Sequence, residues 1–211
     1  MNRLTERFFG TPSGIFSQSE VAVALDASPF SRHALVKRAL AKAEILGIRR
    51  GLYCLAPKYQ KKPVSVFAAA QRIYGPSYVS MESALAYYGW IPEAVRACTC
   101  ASYKNAREFN TPLGRFVYRR VPQRVFLAGV ERLVDPSGNV FFMATPVKAL
   151  ADYVYVHKAK WKGIGEAAEN LRIEPEDMAS VTREEIDDLS ENYSNNRVRH
   201  FLDAWKESLR E

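Results

Sequence analysis

The first sixty residues place their apolar positions in three short helical clusters, followed by two apolar runs. Asn2 to Phe9 predicts a short first helix, broken at Thr11-Pro12-Ser13-Gly14. Ser17 stands three residues before Glu20, the spacing of a capping box, and the apolar VAVAL after it predicts a second helix through Leu25. Ser28 as N-cap and Pro29 at the first helical position open a third helix that is expected to run to about Ala43. The runs on either side of Arg49-Arg50-Gly51 predict a hairpin over Ile45–Leu55, closed by Pro57.

The third helix divides by face. At about 100° per residue, Leu35, Val36, Ala39, Leu40 and Ala43 gather on one side. His33, Ala34, Lys37, Ala41 and, at the margin, Arg38 fall on the other. Arg32 belongs to the core side by angle, although a first-turn arginine has the reach to swing out.

Residues 57–64, PKYQKKPV, are polar, basic and bracketed by prolines, and read as a linker. Beyond them, Ser80 is expected to cap a helix over MESALAYY that Gly89 ends. Val95–Ala101 and the alternating GRFVYRRV of 114–121 predict strands. Glu131–Val134 and Val140–Met143 flank a turn at 135–139. Thr145-Pro146 opens the helix VKALADYVYV, and from Gly165 onward the chain is expected to be helical, with a capping box at Thr182 and Glu185 and a last helix from about Asn195.

Three short helices followed by a two-stranded hairpin is the layout of a winged helix-turn-helix. The predicted class is therefore α+β: an N-terminal winged helix-turn-helix over 1–60 and a larger mixed α/β C-terminal domain over 65–211 that ends in helices. In that layout the hairpin is a wing. Arg49 and Arg50 at its tip would reach a flanking phosphate or the minor groove, where negative potential favours arginine. On the third helix, small alanines permit close approach to a groove, and His33 and Lys37 can reach bases or phosphates. A solubilising turn and a solvated helix face are the competing readings of the same residues.

Charge sharpens this picture. The 211 residues carry a net charge of +7, with 47% hydrophobic and 25% charged residues. The first 62 residues hold 11 Lys/Arg against 4 Asp/Glu, residues 63–162 hold 13 against 6, and residues 163–211 reverse to 6 against 13. Two basic blocks thus precede an acidic one, which suits nucleic acid or an acidic protein surface as partner. Arg115, Arg119, Arg120 and Arg124 cluster around one predicted strand, with Phe116 and Tyr118 interleaved. They form a candidate second basic surface, for phosphates or for an acidic protein, with a plain exposed sheet face as the alternative. No apolar run approaches the roughly 20 residues that span a bilayer, and the N-terminus lacks the apolar core of a secretory signal. No membrane association and a cytoplasmic location are expected. Cys54, Cys98 and Cys100 are an odd count, and the Cys98-Thr99-Cys100 spacing is too tight for a zinc knuckle, so reduced structural thiols are expected.

The search for catalytic motifs yields no nucleophile elbow, phosphate-binding loop or HExxH metal pair. Gly163-Ile164-Gly165 lacks the third glycine of a dinucleotide fingerprint. Lys148 and Asp152, four apart on a helix, would suit a nuclease if Glu82 or Glu108 joined them around magnesium. An i,i+4 salt bridge explains the pair without chemistry. No catalytic residue, metal site or cofactor is expected.

YVSMESALAYYGWIPEA (78–94), FNTPLGRFVYRRV (109–121), MATPVKALADYVY (143–155) and the wing run with RRGLY resemble the signature runs of AbiEi-type antitoxins, the antitoxin half of type IV abortive-infection toxin–antitoxin pairs. The resemblance covers most of the chain in the same order of elements. It implies a winged helix-turn-helix that binds inverted repeats in its own promoter and represses the operon. It also implies a C-terminal domain that counters a nucleotidyltransferase-like toxin without a stable complex. Carried onto this chain, the DNA-contacting residues are Ser31, Arg32, His33, Lys37 and Arg38 of the third helix and Arg49 and Arg50 of the wing. Two alternatives stand beside it: a stand-alone winged-helix transcription factor with a ligand-sensing or dimerising C-terminal domain, and a DNA nuclease.

Overall fold

The computed structural model describes residues 1–11 and 13–209; of the expected break at Thr11–Gly14, Pro12 lies outside the described residues, as do the last two positions of the C-terminal segment. The architecture is mixed α+β, with one small and one large sheet.

The chain opens with α1 (Arg3–Phe8), β1 (Ile15–Ser17), α2 (Gln18–Ala24) and α3 (Pro29–Ala41), then β2 (Ile45–Arg49) and β3 (Leu52–Leu55). The caps are those the sequence predicts. Ser17 and Glu20 form a reciprocal capping box, and the Ser28 hydroxyl accepts the Ser31 amide with Pro29 in the first turn. Helix α3 stops at Ala41, short of the expected Ala43, which takes a positive φ of 48° as the chain turns into β2.

Strand β1 is an addition to the predicted layout. It pairs antiparallel with β3, Ile15 opposite Cys54 and Ser17 opposite Leu52, so the hairpin becomes a three-stranded sheet in the order β1-β3-β2. Both faces of this sheet are buried. Phe16, Ile45 and Leu55 pack with Leu4, Phe8, Val21, Leu25, Val36 and Ala39 of the three helices. Ile15, Ile48, Leu52 and Cys54 face the other way and join the core of the larger sheet.

After a 3₁₀ turn at Pro57–Tyr59 come α4 (Val66–Ile73), β4 (Ser77–Val79), α5 (Glu82–Tyr87), β5 (Ala97–Ser102), β6 (Arg107–Thr111), β7 (Gly114–Arg120), β8 (Val130–Val134) and β9 (Val140–Ala144). Helices α6 (Pro146–His157), α7 (Ile164–Leu171), α8 (Pro175–Met178), α9 (Arg183–Asn192) and α10 (Asn196–Ser208) close the chain. The six strands run β6-β7-β5-β4-β9-β8, with β5/β7 and β4/β9 parallel and the other neighbours antiparallel. Among the described residues no helix is long and apolar enough to cross a membrane.

The linker segment is tied down. Gln60 donates to the Leu55 carbonyl at 2.6 Å and Lys62 reaches the Ser137 carbonyl at 3.4 Å. Arg72 of α4 donates to the Ile15 carbonyl at 3.1 Å and pairs with Glu20, so α4 clasps the first turn of α2 and strand β1. One expected cap is absent. Helix α5 begins after Met81, which has a positive φ of 54°, and Ser80 points elsewhere.

Candidate nucleic-acid interface

Helix α3 sits on the small core through Val36 and Ala39, with Leu35 half-buried. Leu40, expected inside, is 39% exposed, although Ala39 beside it is fully buried. The opposite face is open: Ser31, His33, Lys37 and Arg38 are exposed and Ala34 is half-buried. Two of the cations are occupied locally. Arg32 is half-buried and donates to the Ala27 carbonyl at 2.8 Å, bracing the α2–α3 turn. Arg38 donates along its own helix to the Ala34 carbonyl at 3.3 Å. His33 and Lys37 form no hydrogen bond or ion pair through their side chains among the described residues.

The sequence reading missed Phe30. It is 85% exposed, and at seven residues before Lys37 and three before His33 it stands on the same face of α3. The signal was available in the helical period. The open face of α3 is therefore Phe30, His33, Ala34 and Lys37, an aromatic ring leading two polar side chains. Val23 of α2, 90% exposed, is another uncovered apolar residue in this part of the chain.

The β2–β3 turn presents Arg49 and Arg50, both exposed and neither in an ion pair among the described residues. A bulge between Gly47 and Arg49 skews the end of β2, and Gly51 supplies the positive φ of 74° that closes the turn. The tip is braced from α2. The Gln18 amide donates to the Gly51 carbonyl at 2.8 Å, and the Tyr53 hydroxyl donates to the Gln18 side chain at 3.3 Å. The two arginines differ in outlook. Strand β2 lies against β6, and the Arg49 guanidinium acts on the Tyr118 phenol of β7, opposing the burial that pushes that group up. Arg50 follows the end of β2 at the turn itself.

The four arginines expected to form a second basic surface have different neighbours. Arg115 and Arg119 both grip Glu108 on the adjoining β6, at 2.6 and 2.9 Å, and hold its carboxyl below the usual range. Arg124 stands in a cleft with Asp188 and Glu191. Arg120 and Arg124 are both exposed and in no ion pair among the described residues; Arg120 shares a cleft with Arg119, Lys158 and Arg197.

The nuclease set does not assemble. Glu82 pairs with His157 at 2.8 Å and Glu108 with the two arginines, and among the described residues neither bonds to Lys148 or Asp152. Among the described residues no group of three His, Cys, Asp or Glu could hold a metal ion. Lys148 and Asp152 do form the expected i,i+4 pair, at 2.8 Å, but both side chains are fully buried. Asp152 accepts from Lys148 and Tyr193 on one oxygen, the latter at 2.5 Å, and from Tyr78 at 2.9 Å and Ser80 at 2.7 Å on the other. The Lys148 ammonium donates to Asp152, to the Gln123 side chain at 2.6 Å and to Tyr193. Gln123 in turn donates to Tyr78 at 2.8 Å and accepts from Asn192 at 3.1 Å. Burial pushes the Lys148 ammonium down against the opposing pull of Asp152, and burial beside that carboxylate pushes the Tyr78 and Tyr193 phenols up. Every ammonium proton and every carboxylate acceptor site is used. The network fastens α6, β4, the 121–125 segment and the α9–α10 junction, and offers no free group to a substrate.

Cys54, Cys98 and Cys100 are free and buried. Neither protein-family models nor curated proteins give a match to this chain.

Proposed function

We propose that the chain is a DNA-binding autorepressor and the antitoxin of a type IV toxin–antitoxin pair. Its first sixty residues would act as a winged helix-turn-helix on an inverted repeat, with α3 in the major groove and the β2–β3 turn on the flanking backbone. The observation that carries the DNA-binding part is the pairing of two exposed features: the open α3 face of Phe30, His33 and Lys37, and the turn cations Arg49 and Arg50, which have no carboxylate partner among the described residues. Cations left unpaired in water are available to displace the counterions of a duplex. The antitoxin part rests on the resemblance of four sequence runs to AbiEi-type antitoxins.

A mobility shift with the intergenic DNA upstream of the gene tests the first part. The expected result is a sequence-specific complex that weakens steeply with salt. If six phosphates are neutralised, the slope of log K on log salt is about −5. Failure to prefer that DNA over an unrelated duplex would end the repressor reading. Co-expression with the neighbouring gene tests the second part. The neighbour alone is expected to arrest growth and this chain to relieve the arrest. A neighbour harmless on its own would leave a stand-alone regulator instead.

A further inference from the structure

We propose that a cleft at the carboxyl ends of β5 and β7 binds the phosphate group of a small phosphorylated molecule. The cleft is about 320 Å³ and its polar rim is Arg119, Arg120, Lys158, Asn195 and Arg197, with Tyr155 on one wall. Strands β5 and β7 run parallel and end together here, Ala101 opposite Arg119 and Ser102 opposite Arg120. The crevice outside the carboxyl ends of parallel strands is where open α/β sheets hold their ligands, because the loops leaving those ends diverge.

Charge makes the site selective. Four cationic residues line one concavity, and among the described residues no carboxylate does. Arg120, Lys158 and Arg197 take part in no ion pair among the described residues, and Arg119 spends one nitrogen on Glu108, leaving its other donors. Like charges gathered in a concavity repel one another until an anion enters, and guanidinium forks match phosphate oxygens in pairs. Helix α10, thirteen residues long, starts at this cleft, with Asn195 as its cap and Arg197 in its first turn, and adds the positive end of its dipole. Lys158 is held in the left-handed region at φ 55°, an unfavourable setting for a side chain with a Cβ, at the point where it joins the rim. The cavity suits a phosphomonoester or diphosphate with a compact body laid against Tyr155 and Val156. A duplex is too broad to enter it and would touch the rim alone.

The site is independent of the DNA-binding reading, and its test keeps the two apart. The full chain is titrated calorimetrically with inorganic pyrophosphate and with AMP, and separately with an unrelated duplex. Either small probe is expected to bind with a Kd tighter than about 1 mM. Arg120→Gln with Arg197→Gln should weaken that binding at least about tenfold, the loss of roughly one charge-assisted contact or more. Arg124→Gln, outside the cleft, and Arg49→Ala with Arg50→Ala, on the hairpin, should leave it within twofold. An unchanged thermal midpoint in the double glutamine variant would show that these surface changes leave the fold intact. Failure of both small probes to bind overturns the proposal. So does binding that the glutamine variant leaves intact. Loss of duplex affinity alone in that variant would assign the rim to a nucleic-acid backbone and overturn it equally.

Discussion

The α3–hairpin face and the Lys148–Asp152 network both concentrate charge, and they handle it in opposite ways. On the hairpin, Arg49 and Arg50 stand exposed, in no ion pair among the described residues. In the network, one ammonium and one carboxylate are sealed at zero exposure, and each finds a protein partner for every hydrogen-bonding site. The reason is solvation. An exposed guanidinium is already satisfied by water, so folding does not require it to be paired. A buried ammonium has lost its water and must be paired to survive. Charge completed from inside serves the fold, and charge left for water is free to serve a partner.

The largest expected effect is therefore on the buried side. Asp152→Ala removes the acceptor shared by Lys148, Tyr78, Ser80 and Tyr193. Breaking a buried pair from one side costs about 3–5 kcal/mol. Urea denaturation should show the unfolding free energy falling by that amount, with the DNA affinity of the folded fraction unchanged. Wild-type stability in the variant would mean that the network is not the keystone its geometry describes. Lost DNA affinity with intact stability would erase the contrast between the two regions.

On the exposed side the order reverses: little change in stability and a large change in binding. Arg49→Ala with Arg50→Ala should leave the thermal midpoint almost unmoved, since surface substitutions of this kind stay within about 0.5 kcal/mol. The salt slope should flatten by about 1–2 units, which near 0.15 M salt is a loss of roughly 5–30-fold in affinity on every sequence. Weakened binding at an unchanged slope would remove the hairpin from the backbone-contacting set. Phe30→Ala should act more narrowly. An uncovered ring at the head of α3 gains area only against apolar matter such as thymine methyls, and losing it costs about 1–2 kcal/mol at thymine-bearing positions. The readout is a competition between operator variants with and without those thymines. An equal loss on both would make Phe30 a non-specific contact.

The features legible in the sequence were those decided within a few residues. The caps at Ser17, Ser28 and Thr182 and the turn at Gly51 depend on neighbours only, and each forms where its spacing predicted. What the sequence hid was decided at long range. Strand β1 is three residues long and exists by pairing with β3, some forty positions on. Helix α4 and strands β4 and β6 went unpredicted, and without β6 nothing indicated that Glu108 would capture Arg115 and Arg119. Ser80 had a cap's spacing, but Asp152, 72 positions away, took its hydroxyl. The i,i+4 spacing of Lys148 and Asp152 revealed the ion pair and not its burial, which Tyr78, Gln123 and Tyr193 impose from three other segments. The site was legible to the same degree. The cations of α3 and the hairpin could be read from the helical period and the turn, whereas their freedom from acidic partners needed the whole fold.

The smallest expected effect sharpens the comparison from within the exposed region, because α3 has a buried charge of its own at its base. Glu44, in the joint between α3 and β2, is 5% exposed and accepts the Thr5 hydroxyl at 2.7 Å and the Asn2 amide at 2.8 Å. It thereby ties α1 to the end of the helix that carries the open face. The hydrogen bond from Thr5 and then that from Asn2 hold its carboxyl below the ordinary 4.5. A carboxyl depressed in the folded state contributes stability that is fully present above the unfolded value and is lost as pH falls through the folded one. Glu44→Gln should therefore be less stable than wild type at neutral pH, and the gap should close on acidification below about pH 4.5. Thermal denaturation of both proteins between neutral pH and about pH 3 measures the gap. A gap that stays constant across that range would mean that the lost contribution is packing, not charge. Neutral-pH DNA affinity is expected to hold, because the variant keeps an oxygen that can accept from Thr5 and so keeps α1 under α3.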